Sequence, residues 1–179
     1  MIRLATPDDA EAVAQIYRPY VESTVISFEV AAPTPDEMRS RISGTLTRFP
    51  WLIAEEGGRA VGYAYAGPHH VRAAYQWSVD TAVYVDQACH RTGVGRRLYG
   101  ALLPMLVRQG FVNAYAGITL PNEKSVRLHE VIGFVPVGVY RNVGYKLGQW
   151  HDVGWWSLAL QPLHASPRLP EALQDIEHG

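Results

Sequence analysis

The 179-residue chain is 47% hydrophobic and 18% charged, with a formal net charge of −1. That balance fits one globular domain with a real core, and it excludes a global basic field drawing the chain to nucleic acid or an anionic membrane. Cys89 is the single cysteine, so neither an intrachain disulfide nor a zinc site with several thiolates can form. The start of the chain lacks the apolar core of a signal peptide, and no apolar run nears the roughly 20 residues of a membrane helix. A cytoplasmic protein is the expectation.

Ile2–Ala5 reads as a short strand. Thr6 is a fitting N-cap and Pro7 suits the first helical position, and Ala10, Val13, Ile16 and Tyr17 continue at helical spacing to about Tyr20. Thr34 with Glu37 three residues on predicts a second, box-capped helix running towards Arg48. Trp51–Glu55 and Arg59–Ala66 read as strands around a Gly57-Gly58 turn, and Val79–Asp86 as a third. Val94, Leu98, Leu102 and Leu106 mark a helix from 94 to about 109 with Gly110 as its cap; Pro104 inside it is expected to kink it or end it early.

Val112–Leu120 reads as a strand, and Asn122–Val131 as a helix closed by Gly133. Val135–Tyr140 and Val153–Leu160 read as late strands around an irregular Gly-rich stretch. The strand–helix–strand units imply a partly parallel sheet and the central hairpin an antiparallel part. The expectation is a mixed α/β sheet with helices on both faces over residues 1–161, and a tail over 162–179 that is weakly ordered or lies on the surface.

The sharpest motif is His90-Arg91-Thr92-Gly93-Val94-Gly95-Arg96, between a strand and a helix. Free helix N-terminal amides and the helix dipole make such a turn an anion site, glycines let the backbone approach phosphate, and Arg91 and Arg96 add charge. The spacing fits neither a P-loop nor a dinucleotide fingerprint, since Leu98 holds the third glycine position. On spacing alone, a plain helix entry stays open.

The segment resembles the acetyl-CoA pyrophosphate loop of GNAT superfamily N-acetyltransferases, Q/R-x-x-G-x-G/A, with His90 at the usual Gln or Arg. Asn122-x-x-Ser125-x-x-Leu128-His129-x-x-x-Gly133-Phe134 resembles the helix that closes over the cofactor in that family. The resemblance implies a GNAT-like, mostly antiparallel sheet. It implies that Val83, Tyr84 and Val85, the loop residues Arg91, Thr92, Gly93, Val94, Gly95 and Arg96, and Asn122 and Ser125 hold acetyl-CoA. Many members carry a tyrosine at the His129 position to protonate the departing thiolate.

Within the superfamily, Ala64-Tyr65-Ala66-Gly67-Pro68, Thr81-Ala82-Val83-Tyr84-Val85, Leu120-Pro121-Asn122 and Trp150-His151-Asp152-Val153-Gly154 are similar to phosphinothricin and methionine sulfoximine acetyltransferases. That implies direct transfer of acetyl to the α-amine of a small amino acid analogue. It implies Asp80, where the family has Glu, and His129 as the catalytic pair, and Phe28, His70, Arg72, Tyr75 and Tyr99 as substrate contacts. His70 stands where the family has Lys. The alternatives are another amine (an amino acid, a polyamine or a peptide N-terminus) or a CoA-binding sensor without turnover.

No metal, nucleic acid or membrane partner is expected: His69-His70 lacks ligand spacing, and the histidines are scattered. Cys89 lacks a clear base partner, which argues against an acyl-enzyme. GNAT relatives often pair through their late strands, and a homodimer with Trp150–Trp156 near its two-fold interface is expected.

Overall fold

A computed structural model describes residues 1–90 and 92–176. The elements follow the expected order: β1 (Ile2–Leu4), α1 (Ala10–Glu22), α2 (Pro35–Leu46), β2 (Trp51–Glu56), β3 (Arg59–Pro68), β4 (Ser78–Val85), α3 (Val94–Gln109), β5 (Asn113–Leu120), α4 (Glu123–Ile132), β6 (Val135–Lys146), β7 (Gln149–Ala159) and the short α5 (Leu173–Ile176). The seven strands form one sheet in the order β1-β2-β3-β4-β5-β7-β6. Every described pair is antiparallel except β4 with β5.

Local chemistry sets the ends of the elements. Thr34 N–H donates to Glu37 Oε2 at 2.7 Å and Glu37 N–H returns a bond to Thr34 Oγ1 at 3.2 Å, the reciprocal cap that opens α2. Gly57 and Gly58 take φ of 57° and 76° in the β2–β3 turn, a backbone only glycine adopts freely.

α3 runs unbroken to Gln109 despite Pro104. Pro104 and Gly100, whose carbonyl loses its partner, are both exposed, so water can satisfy that carbonyl. The opposite face carries Leu98, Leu102 and Leu106, all fully buried. Truncating Leu102 to Ala costs about 2–5 kcal/mol.

The stretch expected to be irregular between the late strands is instead a long β6–β7 hairpin. Register shifts at Pro136/Gly138 and Tyr140/Gly144 break its alternation, and Asn142 sits at φ 48°. These bulges hide the strand from a period-two reading. Leu147 and Gly148, both at positive φ, close the hairpin.

The core lies in two layers, one on each face of the sheet. α1 and α2 pack over β2 and β3 through Val13, Tyr17, Met38, Ile42, Trp51 and Tyr63. α3 packs on the opposite face over Val79, Ala114, Ala116 and Ile118. The tail lies along α3: Leu173 is buried, Trp77 Nε1 donates to Arg168 O at 2.7 Å, and Gln109 Nε2 donates to Glu171 O at 2.9 Å.

Candidate active site

The sheet parts in its middle. β4 and β5 pair only at Ser78–Asn113, Val79–Ala114 and Asp80–Tyr115. Beyond them β5 stays paired with β7 as far as Leu120, and β4 with β3 as far as Val85. Backbone groups alternate sides along a strand. Trp77 O bonds towards β5, while Ser78 O and Asp86 N–H bond towards β3. The C=O of Thr81 and the N–H and C=O of Val83 and Val85 therefore face the β5 side beyond the last rung of that ladder.

Val83 and Val85 thus turn their backbone groups to that open side, with one of those groups already engaged. The Val85 carbonyl already accepts from the Tyr20 hydroxyl, which also meets His90 Nε2 at 2.9 Å. Tyr84 does not share that edge. Its backbone faces β3, and its side chain sits among Tyr17, Tyr20 and Tyr63, because a strand turns every second residue away.

The fork opens towards the start of α3. Gly93 caps this helix at φ 81°, and the first helical bond is Arg97 N–H to Gly93 O at 3.0 Å. The N–H groups of Val94, Gly95 and Arg96 therefore have no helical partner, which with the dipole makes an anion seat. A Cβ on Gly95 would lie 3.0 Å from Leu128 Cδ2 and 3.8 Å from Val83 Cγ2, so this glycine lets α3, α4 and β4 converge. Thr92 Oγ1 ties back to Cys89 O at 2.7 Å, and Arg96 is exposed. Arg91 lies outside the described residues. Asn122 Oδ1 accepts from Ser125 N–H at 3.2 Å as the cap of α4, and it lines an open groove of about 610 Å³.

On the α3 face of the fork, Thr81 Oγ1 lies 3.1 Å from both the Tyr115 carbonyl and the Tyr99 hydroxyl. The hydroxyl thus adds a side-chain bond to the carbonyl of the last rung. Tyr99 meets His129 Nε2 at 2.8 Å, and His129 Nδ1 meets Ser125 O at 2.7 Å. A carbonyl only accepts, so Nδ1 carries the proton and Nε2 accepts from Tyr99. Burial lowers the His129 pKa, with the Ser125 bond opposing, which favours the neutral imidazole. Tyr99 is fully buried, and burial raises its pKa. It stands in this chain of hydrogen bonds, away from the expected substrate contacts.

The opposite face carries Asp80, since alternation turns it away from Thr81. The expected Asp80–His129 pair is therefore split across the two faces of β4. Asp80 Oδ1 is instead 2.6 Å from His69 Nδ1. Burial raises the Asp80 carboxyl pKa, opposed by the His69 hydrogen bond. Sequence spacing gave His69 no role. The signal is in the β3–β4 register: Gly67 pairs with Asp80, which puts residue 69 on the same face as the carboxylate.

His70 and Tyr75 stand beside this pair, their rings 4.7 Å apart, and Arg72 is exposed on the same connection. Phe28 comes from the segment after α1 and lies flat on Gly144, where a Cβ would clash with the ring at 2.0 Å. Lys146 Nζ, buried, donates to Ser27 O at 2.6 Å, and Tyr17 Oη meets Ser27 Oγ at 2.6 Å, so the segment is tied to β6 and to α1. On this face a cavity of about 370 Å³ lies between α2 and the sheet, walled by Tyr17, Arg41, Trp51, Tyr65 and Gly67.

Two arms of one site thus meet at the fork: an anion seat with a free strand edge, and a cluster of titratable and aromatic groups. Among the described residues no helix is long and apolar enough to cross a membrane, and no group of three or more His, Cys, Asp or Glu could hold a metal. The GNAT acetyltransferase domain model matches residues 2–155. The chain is 44% identical to a phosphinothricin N-acetyltransferase of Streptomyces viridochromogenes, over 93% of this chain and 91% of that one. It is 32% identical to an L-methionine sulfoximine/L-methionine sulfone acetyltransferase of Salmonella typhimurium, over 93% and 97%. A crystal structure of a GNAT superfamily phosphinothricin acetyltransferase from Sinorhizobium meliloti in complex with acetyl-CoA superposes with a TM-score of 0.89 at 29% identity, over 94% and 92%.

Proposed function

Because the chain belongs to the GNAT acetyltransferase family, we propose that it moves acetyl from acetyl-CoA to the α-amine of a small amino acid analogue of the phosphinothricin or methionine sulfoximine type. The fork supports this reading most directly. A strand edge with free N–H and C=O groups, ending at a helix N-terminus, suits a ligand with an amide-bearing arm and a pyrophosphate. Acetyl-CoA would supply an activated thioester. Val83 and the Val85 N–H would hold its arm, and the amides of Val94, Gly95 and Arg96 its phosphates, with Thr92, Asn122 and Ser125 alongside.

Arg72 suits an anionic acceptor, since guanidinium binds paired oxygens with two bonds. His70, Tyr75 and Phe28 would frame the acceptor, and Asp80 would orient its ammonium. His129, fed through Tyr99, would return a proton to the departing sulfur. Transfer would be direct: Cys89 is half-buried, and among the described residues its sulfur's hydrogen-bond partner is Arg59 Nη2 at 3.9 Å, a cation and not a base. An enzyme drawing on acetyl-CoA would work in the cytoplasm.

The enzyme would act as a homodimer through β6, whose Val135, Val137, Val143 and Tyr145 are at least half exposed. Trp150 belongs to that surface. Trp155 packs on Gly117 and Trp156 enters the core, so the tryptophans divide between interface and interior.

The deciding experiment is CoA thiol release with L-phosphinothricin and L-methionine sulfoximine beside a panel of amino acids and polyamines. Selective turnover of the two analogues is the expected result. Preference for another amine would move the acceptor. Acetyl-CoA binding without turnover on any amine would leave a CoA-binding protein.

A further inference from the structure

His69 follows directly on β3 and lies in a closed frame. Its Nδ1 is 2.6 Å from Asp80 Oδ1. Its ring stacks on Tyr115 at 4.3 Å and 17° and meets Trp155 edge-on at 5.9 Å. His70 and Tyr75 complete the surroundings, with centroids at 4.4 and 6.0 Å. Asp80, His70, Tyr75 and Tyr115 are thus the titratable groups around it. Asp80 and Tyr115 form the last rung before β4 and β5 part. The imidazole therefore stands at the apex of the fork, where a thioester lying along β4 would end. Its side chain is 16% exposed, sheltered yet reachable.

An ionised carboxylate only accepts, so His69 Nδ1 donates to Asp80 and the lone pair is on Nε2. Nε2 has no hydrogen-bond partner among the described residues. An isolated carboxylate beside an ammonium favours the charged, unreactive amine. An imidazole exchanges protons near neutral pH, which is the match a general base needs.

We propose that His69 Nε2 is the base that takes the acceptor amine's proton, directly or through one water, with Asp80 as the positioning residue that fixes its tautomer and holds the imidazolium. The inference rests on the acetyl-transfer reading above. The ammonium N–H bond breaks with its electron pair left on nitrogen, and an Nε2–H bond forms. That pair bonds to the acetyl carbonyl carbon, and the C–S bond breaks with its pair on sulfur. The second proton shed by nitrogen balances the one sulfur takes up. His69 then gives its proton to solvent.

His69→Asn keeps an N–H donor for Asp80 but removes the base. Its kcat/KM at about pH 7.5 is expected to fall on the order of 100-fold, and to climb again in alkaline solution as the amine sheds its own proton. Unchanged acetyl-CoA binding and melting temperature would show the fold intact; His69→Gln is the second variant should Asn fail to fold. Without any ligand, nitrogen NMR of the wild type should show His69 in the Nδ1–H tautomer alone, and Asp80→Asn should give a mixture. Activity of His69→Asn within about threefold of wild type with the same pH profile would overturn the proposal. So would an Nε2–H tautomer in the wild type. A wild type that acetylates no amine of the panel would instead remove the acetyl-transfer reading, and this proposal with it.

Discussion

The imidazole of His129 is 3% exposed, with its Nδ1 proton on the Ser125 carbonyl and Tyr99 on its other nitrogen. Burial holds its pKa below the ordinary 6.5, so the unfolded chain takes up a proton more readily than the folded one. The stability this implies is fully present above the unfolded value and is lost as pH falls towards the folded one. Melting temperature should therefore drop more between about pH 7 and pH 5 in the wild type than in His129→Gln, which carries no titrating ring. Equal slopes in thermal scans would contradict that. The motifs around His129 and Asp80 single both out in the sequence. Their separation was not legible, because which face a strand residue takes depends on register. His69 was invisible for a related reason: two adjacent histidines after a strand mean little until the hairpin folds one of them back onto Asp80.

Among the elements, those with strong local signals were legible. α2 carries its reciprocal cap, α3 its leucine stripe and α4 its Asn122 and Gly133 ends. The β6–β7 hairpin was half-read, since its bulges break the alternation that identifies a strand. One of its glycines has a specific use: Gly144 leaves room for the Phe28 ring. Gly144→Ala must push that ring away, at a cost of about 1–3 kcal/mol in stability. The KM for the acceptor amine should rise several-fold while that for acetyl-CoA stays within about twofold, because Phe28 and the anion seat are on different arms of the site. Steady-state kinetics against each substrate would check this, and a change confined to acetyl-CoA would count against Phe28 as a wall of the acceptor site.

For the whole molecule, β6 is both an edge strand and apolar on its surface, with Val135, Val137, Val139, Tyr140, Val143 and Tyr145 exposed. Long apolar edges invite pairing and are seldom left bare. A two-fold contact there predicts a dimer by light scattering, and a monomer for Val137→Lys combined with Tyr145→Asp. A wild-type monomer at micromolar concentration would exclude it. The fold class and the order of elements along the chain were legible from the alternation of strands and helices. Where the tail attaches is set by contacts distant in sequence: Arg168 O accepts from Trp77, Glu171 O accepts from Gln109, and Leu173 is buried beside α3.

The short β4–β5 contact also has a mechanical meaning. With three residue pairs, it is a narrow seam between two stiff plates, β1 to β4 on one side and β5 to β6 on the other. A ligand that lies along β4 and rests against β5 rivets the plates together. Acetyl-CoA at about 100 times its dissociation constant should then stabilise the fold by about 2.7 kcal/mol. The slowing of amide exchange should be concentrated at Thr81–Val85 and along β5, in positions the free protein lets breathe. Uniform protection across the sheet would mean that the seam was already rigid.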